Sequence, residues 1–191
     1  MTFLQRLPNI LSLSRIFLAV FFVVFFFSPC KYSKTISFVI FIVASITDYL
    51  DGKIARKVEG VSKIGIFLDP LADKILILGA FVCFVELRLV PAWMVIVILA
   101  REFIITGLRI YGLTINAHFP ATKIAKHKTV SQIIAIYLIL SYLTFREWGI
   151  ITYNHFNYQI IILGVMYLTV FFTIISGLGY VYNNRELFHR R

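Results

Sequence analysis

Acidic residues are scarce in this sequence, with nine Asp and Glu against nineteen Lys and Arg. Cysteine is scarcer still, since Cys30 and Cys83 stand far apart, with neither metal-site spacing nor the pattern of a disulfide framework. No stretch is long enough for a basic soluble domain, so the net charge of +10 does not indicate nucleic-acid binding. Such an excess is typical of membrane topology and of contacts with anionic lipid headgroups.

Polar residues are few in this sequence, and most of the chain consists of long hydrophobic runs. The chain is 60% hydrophobic with nineteen Phe among 191 residues, whereas soluble domains average about 45–50% apolar residues. Six apolar segments, separated by short breaks, span about residues 9–28, 35–57, 66–87, 90–112, 128–145 and 158–182. We therefore expect an all-α integral membrane protein with six transmembrane helices, forming one domain over residues 1–191 without a soluble part.

The basic residues predict the orientation of these helices. The N-terminal apolar run lacks a small-residue cleavage site, so we interpret it as the first membrane helix rather than a signal peptide. With six spans both termini lie on one side, and that side would carry fifteen of the nineteen Lys and Arg residues. The positive-inside rule then predicts that both termini are cytoplasmic.

Five of the nine acidic residues lie in the stretch DYLDGKIARKVEGVSKIGIFLDPLADK, and four of these five are aspartates. Asp48 and Asp51 are three apart on the second predicted helix, while Asp69 and Asp73 are four apart on the third, so each pair shares a helix face. Like charges so close must either protonate or bind cations. Their hard oxygen ligands favour Mg²⁺, Mn²⁺ or Ca²⁺ over zinc, and two such cations would suit a diphosphate substrate.

The predicted depths of the charged groups agree with a shared site. Rise per residue places Asp48 about 20 Å, Asp73 about 22 Å and Arg101 about 18 Å from the outer boundary of a hydrocarbon core ~30 Å thick. A charge near the bilayer centre costs about 2.5–3.5 kcal/mol, which implies partners for each group. We therefore expect one polar, metal-containing cavity that opens to the cytoplasm.

Small and basic residues are interleaved with the aspartates. Gly52, Ala55 and Gly65 would let a ligand or a neighbouring helix approach the backbone closely. Arg56 could hold a phosphate group. Pro70 suits either a helix start or a bend.

This pattern resembles the signature of the CDP-alcohol phosphotransferase family, D-x-x-D-G-x-x-A-R-x8-G-x-x-x-D-x-x-x-D. All eight fixed positions and both gaps are present, in Asp48, Asp51, Gly52, Ala55, Arg56, Gly65, Asp69 and Asp73. The resemblance implies a six-helix membrane enzyme, usually a homodimer, that transfers a phospho-group from a CDP-linked donor to an alcohol and releases CMP. It also implies two divalent cations, Mg²⁺ or Mn²⁺.

Residue roles carry over position by position. The resemblance makes Asp48, Asp51 and Asp69 metal ligands, with Asp73 completing the metal site as the base that accepts the proton of the acceptor hydroxyl. It further implies that Gly52, Ala55 and Gly65 line the cytidine pocket of the donor. Arg56 would bind a donor phosphate.

A basic cluster points to an anionic acceptor. It lies on the fourth predicted helix and just before or at the start of the fifth, and it consists of Arg101, Arg109, Lys126 and Lys128. The strings PNILSLSR, AREFIITGLR and KHKT resemble the bacterial branch of the family that uses CDP-diacylglycerol as donor and sn-glycerol 3-phosphate as acceptor. For that branch we expect an enzyme of the bacterial cytoplasmic membrane, in contact with membrane lipid, with its active site facing the cytoplasm.

Other functions stay open from the sequence. The same chemistry could use inositol phosphate or phosphatidylglycerol as acceptor, although a lipid acceptor would need less basic charge. A cation transporter could also carry carboxylates within the membrane, but it would place them near the midplane and often show inverted repeats. No repeat is visible here, and lysines near the inner interface could serve topology alone.

Overall fold

A computed structural model describes the backbone of residues 3–55, 63–114, 123–151 and 155–183. Side chains are described for residues 13–47, 74–110, 112, 127–151 and 157–182. The described backbone contains six α-helices and no strand. The helices are α1 Phe3–Phe26, α2 Ser33–Ala55, α3 Lys63–Glu86, α4 Ala92–Thr114, α5 Lys123–Glu147 and α6 His155–Asn183.

The all-helical prediction is confirmed, and each predicted apolar segment corresponds to one helix. The largest differences are at the beginnings of helices, since α1 begins at Phe3 rather than near residue 9, and α5 at Lys123 rather than near residue 128. The polar residues that precede these apolar runs are therefore helical too. Hydropathy indicates which part of a helix is apolar, whereas backbone hydrogen bonding decides at which residue the helix begins.

Two helices end in the same hydrogen-bonded turn. At the end of α3, the amide of Leu89 donates to Phe84 O at 3.0 Å, and Arg88 adopts a left-handed conformation with φ of 57°. At the end of α5, the amide of Ile150 donates to Phe145 O at 3.0 Å, and Gly149 has φ of 73°. Glycine adopts this conformation readily, whereas a residue with a Cβ such as Arg88 is strained by roughly 1–2 kcal/mol.

The chain divides into two compact units, and the first comprises Met1–Cys83 and Ile139–Tyr153. Helices α1 and α2 pack together here around buried aromatic rings. The ring of Phe22 lies 5.7 Å from that of Phe26 and 6.0 Å from that of Phe41. These tilted pairs bury large apolar surfaces, so they anchor the first helical hairpin.

The beginning of α2 is capped by the last residue of α5. One carboxylate oxygen of Glu147 accepts from the amide of Lys34 at 2.9 Å, and the other accepts from the amide and hydroxyl of Thr35 at 2.9 and 2.6 Å. The indole of Trp148 donates to the same hydroxyl oxygen at 3.0 Å. Because helix N-termini expose unsatisfied amides and a partial positive charge, a carboxylate there stabilises α2.

The second unit comprises Phe84–Leu138 and Asn154–Arg191. Helices α4 and α6 pack together in this unit, and its buried side chains include Met94, Ile98, Ile162 and Met166. The hydroxyl of Thr169 on α6 lies 3.3 Å from the carbonyl oxygen of Ser131 on α5. Three helices therefore contribute to the interior of this unit.

Outward-facing positions of both units are largely apolar. Exposed large residues include Phe17 on α1 and Leu178 on α6, which are 56% and 68% exposed. Within the described residues, His127–Glu147 and Asn157–Tyr182 are long and apolar enough to cross a membrane. Leu13–Phe26 and Ser33–Thr47 are shorter apolar stretches. Such exposed apolar faces suit contact with lipid.

We predict that Glu147→Ala destabilises the protein by about 1–2 kcal/mol, as loss of a helix N-cap does, because the first amides of α2 would lose their acceptor. Thermal unfolding in detergent micelles measures the effect. Arg146→Ala is the matched control, since Arg146 is the exposed neighbouring residue, and it should change stability by no more than about 0.5 kcal/mol. Equal losses in the two variants would contradict the capping role.

Candidate active site

Both aspartate pairs lie within continuous helices. Asp48 and Asp51 are on α2, while Asp69 and Asp73 are on α3. Spacings of three and four residues on a helical backbone place each pair on one face, as the sequence predicted. The side chains of all four aspartates lie outside the described residues, so their arrangement stays a prediction.

The donor-site positions surround these pairs in the chain. Gly52 and Ala55 lie on α2 and Gly65 on α3, whereas Arg56 lies outside the described residues. Pro70 is inside α3, which begins at Lys63, so of the two alternatives for this proline a helix start is wrong. Because proline has no amide hydrogen, the usual helical bond to the carbonyl of residue 66 is missing beside the second aspartate pair.

Helix boundaries refine the depth estimates. From Ser33 to Asp48 the rise is about 22 Å, and from Asp73 to Glu86 it is about 20 Å, close to the values expected from the sequence. Arg101 lies only about 14 Å along α4, which begins at Ala92, whereas the depth of about 18 Å assumed that the helix begins near residue 89. Arg101 is therefore less far along its helix than predicted.

A buried charged cluster occupies the interior of the second unit. Glu102 on α4 is 4% exposed and Lys128 on α5 is 5% exposed, and the ammonium group of Lys128 donates to Oε1 of Glu102. The same oxygen lies 3.4 Å from Nη1 of Arg101. One carboxylate thus pairs with two cations. This pairing offsets the large desolvation cost of each buried ion.

The other side of the Arg101 guanidinium is held by α6. Its Nη2 donates to the hydroxyl oxygen of Ser176 at 2.7 Å, and Ser176 is itself fully buried. The Nε atom of Arg101 is also buried, and it has no hydrogen-bond partner among the described residues. The guanidinium is therefore fixed at both ends and keeps one donor for a further group.

Two other predicted acceptor residues are placed differently. Arg109 is exposed near the end of α4. Lys126 belongs to α5, but its side chain lies outside the described residues. The structure therefore brings Arg101 and Lys128 together on Glu102, and the binding of an acceptor phosphate by these four residues stays a prediction.

Comparison with known proteins identifies the family. A sequence model of the CDP-alcohol phosphatidyltransferase family matches residues 5–175. The chain belongs to the CDP-alcohol phosphatidyltransferase family. This confirms the resemblance carried by the aspartate motif. The protein is therefore an enzyme of this class and an integral membrane protein.

Individual members of this family are similar to the chain over almost its whole length. A Bacillus subtilis protein named CDP-diacylglycerol–glycerol-3-phosphate 3-phosphatidyltransferase is 36% identical, covering 95% of this chain and 96% of the relative. Proteins with the same name from Rickettsia typhi and Haemophilus influenzae are 31% and 32% identical. Their matches cover 93% and 92% of this chain, and 96% and 91% of the relatives.

The family implies divalent cations, and the aspartate motif is the candidate site for them. The described side chains hold no group of three or more His, Cys, Asp or Glu, and the motif's own side chains lie outside that part of the chain. The helical backbone nevertheless gives each pair a common face, and the pairs offer only carboxylate oxygens. Such a donor set fits Mg²⁺ or Mn²⁺, the hard cations of phosphoryl chemistry.

Sequence reasoning missed the part played by Glu102 and Ser176. Glu102 is buried on α4, whereas Arg109, seven residues later on the same helix, is exposed. A signal was present, since a carboxylate in the middle of an apolar helix needs a cationic partner. No pattern in the sequence indicated Ser176, because a serine hydroxyl in a helix usually bonds to its own backbone.

We predict that Glu102→Gln destabilises the protein more than Lys128→Met does. The first change leaves two buried cations without their carboxylate, while the second leaves Glu102 paired with Arg101. Breaking a buried pair from one side costs about 3–5 kcal/mol. The double variant should be more stable than Glu102→Gln alone, as thermal unfolding in micelles would measure.

The exposed Arg109 supplies the control for this cycle, and Arg109→Met should alter stability by at most about 0.5 kcal/mol. If the Glu102 and Lys128 effects simply added in the double variant, the two side chains would not be energetically coupled.

Proposed function

We propose that this protein transfers the phosphatidyl group of CDP-diacylglycerol to sn-glycerol 3-phosphate, giving phosphatidylglycerophosphate and CMP. The observation that carries this proposal is the nearly end-to-end similarity to relatives named for this reaction, at 31–36% identity. The complete aspartate motif on α2 and α3 supports it, because paired carboxylates suit a diphosphate donor.

Two divalent cations, Mg²⁺ or Mn²⁺, would be held by Asp48, Asp51, Asp69 and Asp73 and would offset the negative charge of the donor diphosphate. The small side chains of Gly52, Ala55 and Gly65 leave room for the cytidine part of the donor. Arg56 binds a donor phosphate, for which its planar fork of N–H groups is suited.

Asp73 accepts the proton from the hydroxyl group at the end of the acceptor opposite its phosphate. The resulting oxygen nucleophile attacks the phosphorus that bears the diacylglycerol, a new P–O bond forms, and the bond to CMP breaks. A carboxylate can act as base here because the developing charge is transferred to a stabilised leaving group.

The acceptor phosphate is assigned to Arg101, Arg109, Lys126 and Lys128. Support comes from the buried cluster, where Arg101 and Lys128 both contact the carboxylate of Glu102 and so bring two cations close together. The buried Nε of Arg101, which has no partner among the described residues, offers a donor for a phosphate oxygen. Hydrogen bonds to charged groups in such surroundings are about twice as strong as neutral ones.

The membrane arrangement belongs to the same proposal. The six helices contain 23 to 29 residues, which corresponds to about 35–44 Å and exceeds the ~30 Å hydrocarbon core. We infer six membrane spans forming one domain over residues 1–191 in the bacterial cytoplasmic membrane. Both termini and the polar cavity face the cytoplasm, and the protein works as a homodimer in contact with membrane lipid.

The test of function is CMP release by purified protein with CDP-diacylglycerol, Mg²⁺ or Mn²⁺, and a panel of acceptors. We expect release with sn-glycerol 3-phosphate, little with inositol phosphate or phosphatidylglycerol, and phosphatidylglycerophosphate as the lipid product by mass spectrometry. Faster turnover with another acceptor would reassign the substrate. A protein that released no CMP with any acceptor would belong to another functional class, such as cation transport.

We also predict that Asp73→Asn lowers kcat by about 10²–10⁴-fold, because the amide cannot accept the proton of the acceptor. Glu86→Gln, the same chemical change at the exposed far end of α3, is the matched control and should retain normal turnover. Near-normal turnover by Asp73→Asn would refute its assignment as the base.

A further inference from the structure

Arg101 is held by a contact that the proposed reaction does not use. The Nη2 atom donates to Ser176 of α6 at 2.7 Å, in an interior where Ser176 is 1% exposed. Thr173, one turn earlier in α6, behaves differently, since its hydroxyl donates to the carbonyl oxygen of Thr169 in the same helix. The Ser176 hydroxyl thus accepts a hydrogen bond from another helix, whereas the Thr173 hydroxyl bonds within α6.

The next residue of α6 makes room for the stem of the same arginine. A methyl group at Gly177 would lie 3.2 Å from Cγ of Arg101, closer than an ordinary carbon–carbon contact. The same addition at Gly164 or Gly179, also on α6, would meet no described atom within 4 Å. Close approach to Arg101 is therefore the particular feature of Gly177 among these three glycines.

These contacts restrict a side chain that is otherwise very flexible. A free arginine carries about 2 kcal/mol of rotamer entropy, so an arginine that waits for a ligand in many rotamers binds it more weakly. Glu102 at 3.4 Å and Ser176 at 2.7 Å hold the two terminal nitrogens, and Gly177 lets the stem lie against α6. The buried Nε remains the donor without a partner among the described residues.

We propose that Ser176 and Gly177 are positioning residues, through which α6 fixes the guanidinium of Arg101 for the phosphate of the acceptor. This inference rests on the proposed function, because it assumes that Arg101 binds that phosphate. Neither α6 residue needs to touch the substrate. Disturbing either one should weaken the acceptor and leave the CDP-linked donor unaffected.

The test compares two pairs of variants in the full-length protein. Ser176→Ala removes the acceptor of the Arg101 bond, and Thr173→Ala removes a buried hydroxyl that bonds within α6. Gly177→Ala introduces a methyl group against Arg101, and Gly179→Ala introduces one in open space. The members of each pair share the chemical change and the helix, but differ in their relation to Arg101.

We expect Ser176→Ala and Gly177→Ala to raise the KM for sn-glycerol 3-phosphate about tenfold, the scale of one charged hydrogen bond, with an unchanged KM for CDP-diacylglycerol. Thr173→Ala and Gly179→Ala should leave both KM values as in the wild type. A second measurement does not depend on turnover: the rise in Tm on adding sn-glycerol 3-phosphate should need about tenfold more ligand in the first two variants.

The outcomes separate the inference from the proposed function. A wild type without CMP release refutes the proposed function. An Arg101→Ala variant with normal acceptor KM refutes the assignment of Arg101 and the inference with it. If Arg101→Ala raises the acceptor KM while Ser176→Ala and Gly177→Ala match their controls, the inference alone is wrong. Equal changes in the donor and acceptor KM values would indicate a general packing defect and would likewise overturn it.

Discussion

The pairing of Glu102 with Lys128 and Arg101 is the interaction on which the interior of the second unit depends. An ion inside an apolar helix bundle loses its hydration, and it is tolerated only where opposite charges and hydrogen bonds replace the lost water. Here the carboxylate of Glu102 on α4 pairs with Lys128 of α5 and with Arg101, the preceding residue of α4. The positions of these helices are thereby coupled to a single charged group.

The same pairing brings two cations to one place, in an arrangement that an anionic substrate could use. Arg101 and Lys128 both contact Glu102, and the buried Nε of Arg101 has no partner among the described residues. The carboxylate lowers the repulsion between the two cations, so the cations can lie close together before an anion binds. This balance agrees with an acceptor that carries phosphate.

In the first unit, charged side chains form hydrogen bonds to the backbone groups at the ends of helices. The carboxylate of Glu147 satisfies the first amides of α2, and Lys34 donates from its ammonium group to the carbonyl oxygen of Phe26 near the end of α1. Both contacts satisfy backbone groups that a helix leaves open at its ends. Charged side chains at the helix ends thus stabilise α1 and α2. The apolar residues along these two helices pack against each other.

Much of this protein followed from the sequence alone. Long apolar runs determine six helices, because a backbone in the hydrocarbon core of a membrane has no water to bind and must form its hydrogen bonds internally. The spacings from Asp48 to Asp73 determine two same-face pairs and identify the family, since a helix repeats its face every three to four residues. These features are local, so they need no knowledge of what packs against what.

Tertiary structure decided which partners the charged groups have. The sequence placed Arg101 and Lys128 in a phosphate site, yet only packing shows that both contact Glu102 and that Ser176, seventy-five residues away in the chain, accepts from Arg101. Hydropathy and helical periodicity carry no information about contacts between distant helices. Such contacts arise only when the helices pack, because each buried charge then has to find its partner in space.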